Sequence, residues 1–355
     1  MIRGAPITME GVTVRNRLFA PAAVAAGLAF ALAGCSSSDD AGSESSPDAT
    51  GTAAAAAELP ESLTLALVPS DDVEQITTDG EALATVLSDE LGIDVEVFVP
   101  DSYNAVVVAL QTGQADIGFL GPIAMWQAQE EAGADIVLQA VRYGASDYVG
   151  QWFTNDPDTY CLDDVTTEAD DEGINYSYCN GATGYEGPQG EDALALVPED
   201  ASIAWTDATS ASGYYFPAIQ LAEILGIDDA ASAFPDGFFA GGHSQTVQAV
   251  YDGEATIGLS YNDARSNLAE EFSDVGEKVV VFAYTKNIPN DGVVLSGDLD
   301  ASIQETLTQA LLDLAGTEEG LAALDAVYDI EGLEPADLAA FEDFVGPTYD
   351  TFGGE

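Results

Sequence analysis

Leu63-Thr64-Leu65-Ala66-Leu67-Val68, closed by Pro69, is the stretch on which the fold turns. A short, almost wholly apolar run that stops at a proline reads as a strand buried on both faces. Working outward, Leu83, Val86, Leu87 and Leu91 recur at helical spacing over residues 78–91, and Gly92 stops them. Val95-Glu96-Val97-Phe98-Val99 predicts a second strand and Tyr103 to Leu110 a second helix. Ile117-Gly118-Phe119-Leu120 is a third strand, Pro122 opens a third helix, and Ile136 to Val141 is a fourth strand. Strands alternating with helices require right-handed crossovers and a mostly parallel sheet covered on both faces. The fold class is therefore α/β.

Residues 155–200 break this rhythm with Cys161, Cys179, the acidic run Glu168 to Glu172 and a turn-rich stretch from Asn180 to Gly190. They read as an insertion. Alternation resumes with a strand at Ser202–Trp205, a helix at Ser212–Leu225 and a strand at Gly237–Phe239. A helix at His243–Tyr251 and strands at Thr256–Ser260 and Lys278–Tyr284 follow, with helices over 300–316 and 318–345 at the end. Two α/β lobes are expected, one from 61–150 plus 265–355 and the other from 151–264, with a ligand in the cleft between them. Open α/β sheets bind at the carboxyl ends of their strands, so the residues just after each strand carry the interest.

The N-terminus reads as an export signal. Arg3, Arg15 and Arg17 precede an apolar run from Leu18 to Ala33, which is short for a membrane span of about 20 residues. The run ends in Leu32-Ala33-Gly34-Cys35, which resembles a lipobox and makes Cys35 a lipidation candidate after removal of residues 1–34. Residues 35–60, rich in Ser, Asp, Gly and Ala, read as a flexible tether. The expected location is the outer face of the cell membrane, reached only through the lipid. In an exported chain, Cys161 and Cys179 are expected to form a disulfide, which stabilises by about 3 kcal/mol in the chain-entropy model. A metal site on the two thiolates is the competing reading, but the chain holds a single histidine, His243.

Charge excludes several classes of function. With 63 Asp and Glu against 7 Lys and Arg, the formal net charge is −56, so the chain lacks the cations that bind nucleic acid or anionic lipid. Removing residues 1–34 leaves 4 basic and 62 acidic residues. Because 47% of the residues are hydrophobic, disorder is not the consequence. Surfaces of this kind suit a saline exterior, where the Debye length falls to about 3 Å at molar salt.

Two loops carry chemistry. Asp207-Ala208-Thr209-Ser210-Ala211-Ser212-Gly213-Tyr214 follows a strand and begins a helix. A single hydroxyl there would be a helix cap. Three hydroxyls in four residues, with free N–H groups at the positive end of a helix dipole, suit a tetrahedral oxyanion. Gly241-Gly242-His243-Ser244 repeats the arrangement after the next strand and places the histidine where the dipole favours its neutral form.

These loops, together with Gly113-Gln114-Ala115-Asp116-Ile117-Gly118-Phe119-Leu120-Gly121-Pro122, Tyr261-Asn262-Asp263-Ala264-Arg265 and Ile288-Pro289-Asn290-Asp291, resemble the successive signatures of the phosphonate-binding (PhnD-type) proteins. The resemblance runs over about residues 60–350. It implies the type II periplasmic-binding-protein fold, two α/β lobes joined by hinge strands, and a role as substrate receptor of an ABC importer for phosphonate, phosphite or phosphate. By position it implies that Ser210 and Ser212, with the backbone of Ala211 and Gly213, hold the oxyanion and that His243 donates to it. Tyr103 and Tyr148 would shape the site from the first lobe, beside Gly121. Asp263 and Asp291 would face the rest of the ligand, accepting a substrate ammonium or a protonated P–OH, unless they only cap turns. The family usually has Ser-Thr-Ser-Gly where this chain has Ser210-Ala211-Ser212-Gly213, so a side-chain hydrogen bond is missing. The implied partners are a small phosphorus oxyanion and a permease, with a monomeric receptor, no cofactor and no metal. Other readings are a receptor of the same fold for another organic anion, or a secreted hydrolase using Ser212, His243 and Asp263.

Overall fold

In the computed structural model, residues 58–170, 173–183, 187–227 and 234–351 are described. The signal segment, Cys35 and most of the 35–60 tether lie outside the described residues. All described residues fall in one compact unit, Ala54–Glu355.

The alternation read from residue 63 becomes β1 (Ser62–Leu67), α1 (Val73–Leu91), β2 (Asp94–Phe98), α2 (Tyr103–Gln111), β3 (Ile117–Leu120), α3 (Pro122–Ala132) and β4 (Asp135–Val141). Helix α1 starts earlier than its apolar spacing predicts, because Asp72 caps it by accepting from the Gln75 N–H at 2.9 Å. That first turn is solvated and so carries no apolar signal. Gly92, at φ 70°, ends the helix in the left-handed conformation that glycine favours.

The chain continues through β5 (Asp147–Thr154), β6 (Thr166–Ala169), β7 (Asn175–Tyr178), β8 (Ile203–Trp205), α4 (Phe216–Leu225), β9 (Phe238–Phe239) and α5 (His243–Tyr251). It closes with β10 (Ile257–Tyr261), β11 (Val280–Pro289), β12 (Gly292–Leu295), α6 (Ala301–Leu314), α7 (Glu318–Tyr328) and β13 (Gly332–Pro335). Two sheets result, ordered β13-β4-β12-β3-β1-β2 and β6-β7-β11-β5-β10-β8-β9. Strands β1 to β4 run parallel, while β12 and β13 are antiparallel to their neighbours. Each sheet carries an apolar core on both faces, as in two α/β lobes.

The lobe boundaries differ from the sequence expectation. Strand β11, which lies within the 265–355 segment assigned to the first lobe, is the neighbour of β5 in the second sheet. The chain therefore crosses at residues 142–146 and returns at 290–291. At both crossings the strands run on side by side: Tyr148 pairs with Ile288 in one sheet, and Gly292 with Gln139 in the other. Asn290 ties the two passages by donating from its side chain to the Ala145 carbonyl at 2.9 Å and the Ala140 carbonyl at 3.2 Å. Which partner a strand takes is a long-range choice that periodicity does not record.

Two further differences follow from local chemistry. The helix predicted over 318–345 stops at Asp329, which adopts φ 53°, and the chain then adds β13 to the sheet edge beside β4. The 155–200 segment contributes β6 and β7, which extend the second sheet. Its two cysteines are joined as expected, Cys161 to Cys179, with Cα atoms 5.6 Å apart.

Candidate functional site

Segments leaving the carboxyl ends of β1, β2, β3, β8 and β9 converge, from both sheets, on one cavity of about 510 Å³. Of the residues singled out from sequence, Tyr103, Gly121, Tyr148 and Ser210 line it, as do Ala211, Ser212, His243 and Asp291. Gly213 and Asp263 do not.

The turn at 210–215 shows how a cap becomes an anion cradle. Ser210 Oγ accepts from the Gly213 N–H at 3.1 Å, the ordinary capping bond, which leaves its own proton to donate. Thr209 is spent on Asp207, whose Oδ1 accepts from both its N–H and its hydroxyl at 2.8 Å. Residues Ala211–Tyr215 form a wide π-type turn, with Tyr215 N–H bonded to the Ser210 carbonyl at 3.0 Å. No described group accepts from the Ala211 N–H, which borders the cavity. Gly213 serves the framework rather than the cavity: a Cβ there would collide with the Thr206 side chain, so glycine lets the turn lie against β8.

His243 opens α5 without a side-chain cap, and its N–H donates to the Ser70 carbonyl at 2.9 Å, across from the other sheet. Its Nδ1 lies 2.8 Å from the Ser260 hydroxyl. Burial, reinforced by the positive charge of Arg142, pushes its pKa down to about 3, so the ring is neutral at ordinary pH. Tyr103 is likewise held as a neutral phenol, pushed well above its usual range by burial and then by the negative charges of Asp207 and Asp291. Tyr148 also rises through burial, then Asp291, while the Ser212 hydroxyl and N–H hydrogen-bond to it. Tyr148 stands on β5 and so belongs to the second lobe, not the first as expected.

Asp291 lies on the return crossing beside Gly121, where any Cβ would sit 3.3 Å from its Oδ1. Burial raises its pKa, with the Arg142 guanidinium opposing. Asp263 is turned away and consumed. Its carboxylate binds Arg265 at 2.6 Å (Nη2) and 2.9 Å (Nε), and Arg265 is wholly buried. The signal was present two residues on in the same motif, since one of the chain's 7 basic residues follows the aspartate so closely. The combination of Ser212, His243 and Asp263 does not assemble either, because Ser260 occupies the histidine Nδ1 and Arg265 the carboxylate.

Three features escaped sequence reasoning. Arg142, just after β4, lines the cavity with its guanidinium 5.2 Å from the Tyr261 ring centre. Tyr261 itself packs edge-on against His243, ring centres 4.7 Å apart. Asp71, after β1, accepts from Ser244 at 2.8 Å and Asn267 at 2.6 Å on the other lobe, spanning the cleft. A cation at the carboxyl end of a strand was the available signal for Arg142. Nothing local marks Asp71 among so many acidic residues.

The family of ABC transporter phosphonate periplasmic substrate-binding proteins matches this chain over residues 65–341, and the chain belongs to it. A binding protein component of an ABC phosphonate transporter from Pseudomonas aeruginosa has a similar structure, with TM-score 0.64 and 15% identity over 83% of this chain and 89% of its own. A Prochlorococcus marinus PhnD1 in complex with methylphosphonate gives TM-score 0.65 and 16% identity over 82% of this chain and 100% of its own. A Xanthomonas citri protein bound to chloride ion gives TM-score 0.61 and 16% identity over 82% and 98%. The fold is that of type II periplasmic binding proteins, and the protein is the extracytoplasmic substrate-binding component of an ABC phosphonate transporter.

Proposed function

We propose that the cavity holds the phosphorus group of a phosphonate, phosphite or phosphate at the 210–213 turn, and that the protein delivers it to its permease. The observation that carries this is that Tyr103, Ser210, Ala211 and His243, each with an uncharged donor to offer, line one cavity. Nδ1 is engaged with the Ser260 hydroxyl, so in this reading the neutral histidine is the Nε2–H tautomer and donates that proton to the ligand. Fixed dipoles of this kind stabilise an oxyanion without reorganising. Asp291, its pKa raised by burial, is suited to accept from a P–OH group. Carboxylates outside the cavity lining act from farther off and are screened in salt.

Lipid attachment at Cys35, after removal of residues 1–34, would hold the monomeric receptor at the outer face of the membrane. The support is the Leu32-Ala33-Gly34-Cys35 sequence and its flanks. Cys35→Ala should release the protein into the medium. Calorimetry with phosphate, phosphite, methylphosphonate and 2-aminoethylphosphonate tests the ligand class, and heat from none of the four refutes it. Ala211→Ser should tighten whichever ligand binds, by restoring a hydroxyl where the family usually has one.

A further inference from the structure

Arg142 and Arg265 are both buried, and they are satisfied very differently. The Arg265 Nη1 donates to three backbone carbonyls, at 3.0, 3.2 and 2.7 Å, while Nε and Nη2 grip Asp263. Arg142 is 8% exposed. Its Nη1 lies 3.6 Å from Asp291 and its Nη2 lies 3.4 Å from Asp329, both long for charge-assisted hydrogen bonds. Among the described residues its Nε meets no acceptor. A guanidinium cannot shed its proton to escape this situation, and a buried donor without an acceptor is unfavourable. Arg142 lines the cavity, so an acceptor oxygen on a ligand bound there offers its guanidinium a partner that the two long contacts to Asp291 and Asp329 do not supply.

The carboxylates around it sharpen the point. Asp291 is the acidic group beside Gly121 and the donors, and the cation already next to it is Arg142. Asp71 has its Oδ2 taken by Ser244 and Asn267. Asp329 is 52% exposed at the rim, where solvent screens it. A ligand ammonium directed at Asp291 would meet a guanidinium, whereas a neutral P–OH or an acceptor oxygen would not. A cavity of about 510 Å³ leaves room beyond the phosphorus group for such a substituent.

We propose that Arg142 is a specificity-determining residue that selects, in the ligand group that reaches Asp291, an acceptor oxygen over an ammonium. The proposal rests on the reading of the cavity as a phosphorus-oxyanion site. Three ligands that share the phosphonate group test it by calorimetry in molar salt: methylphosphonate, phosphonoacetate and 2-aminoethylphosphonate. The wild-type protein should bind phosphonoacetate about tenfold or more tighter than 2-aminoethylphosphonate, the scale of one avoided like-charge contact. A smaller preference, or the opposite one, overturns the proposal. Arg142→Gln should shrink that preference at least about fivefold while methylphosphonate still binds, and Arg142→Lys should keep its direction; an unchanged preference in Arg142→Gln overturns the proposal as well. If Arg142→Gln does not fold, the wild-type preference and Arg142→Lys decide the matter. Binding of none of the three ligands overturns the selection; phosphate and phosphite in the same calorimeter separate the two failures, since heat from either keeps the oxyanion reading and heat from neither refutes it as well.

Discussion

Asp263→Asn removes one charge from a buried ion pair and leaves the other behind. Arg265 is 0% exposed and Asp263 13% exposed, and the two meet at 2.6 Å. The guanidinium is also sandwiched by Tyr176 and Tyr178, at 4.9 and 4.8 Å from their ring centres. It cannot swing out to solvent without unpacking both rings. Removing one partner of such a pair costs about 3–5 kcal/mol, because an unpaired charge stays buried. For a protein whose net stability is on the order of 5–15 kcal/mol that is a large fraction. At about 2–4 °C per kcal/mol, the midpoint of thermal unfolding should fall by roughly 6–20 °C. Ligand affinity of the folded variant should stay within about threefold, because Asp263 does not line the cavity. Circular dichroism melts and calorimetry in the same molar salt measure both quantities. A variant as stable as wild type but bound at least about tenfold more weakly would return Asp263 to the ligand and refute the reasoning. The pH dependence gives an independent check. Burial alone would raise the Asp263 carboxyl, but the charge and hydrogen bonds of Arg265 prevail and hold it below the ordinary range. Its stabilising contribution is therefore present above the unfolded value near about 4 and is lost as pH falls through the lower folded value. Asp263→Asn should not show that acid limb.

His243→Ala should weaken oxyanion binding by about tenfold or more, the loss of one hydrogen bond to a charged group. Because burial pushes the imidazole down to about 3, wild-type affinity should show no histidine titration between about pH 5 and 8. A break near 6.5 argues against a neutral donor. The same shift makes stability full above the unfolded value near about 6.5 and falling below it, as the unfolded chain alone takes up the proton. Gly213→Ala forces a methyl into Thr206 and should cost about 1–3 kcal/mol of stability, with weaker ligand binding as the turn shifts; denaturant melts with calorimetry read both, and a neutral substitution contradicts the packing. Lowering salt from molar to about 0.1 M should slow ligand association and weaken binding, since the acidic surface then repels an anion over about 10 Å. Stopped-flow association that quickens at low salt runs against this.

The sequence by itself determined what depends on neighbouring residues. Strand and helix periods over 63–141 are local, and β3 comes out residue for residue at Ile117–Leu120. Capping is local as well, so Ser210, Ser212 and His243 could be placed at helix starts after strands. Only the tertiary structure decided which groups share the cleft. Asp263 and Asp291 look alike in sequence, yet one turns inward to Arg265 and the other borders the cavity. Strand β5 pairs with β11 across more than a hundred residues, and this pairing moved the crossings to 142–146 and 290–291. Arg142 and Asp291 come together because those two crossings lie side by side. Local periodicity records which residues prefer to be buried, but not which distant backbone or charge will bury them.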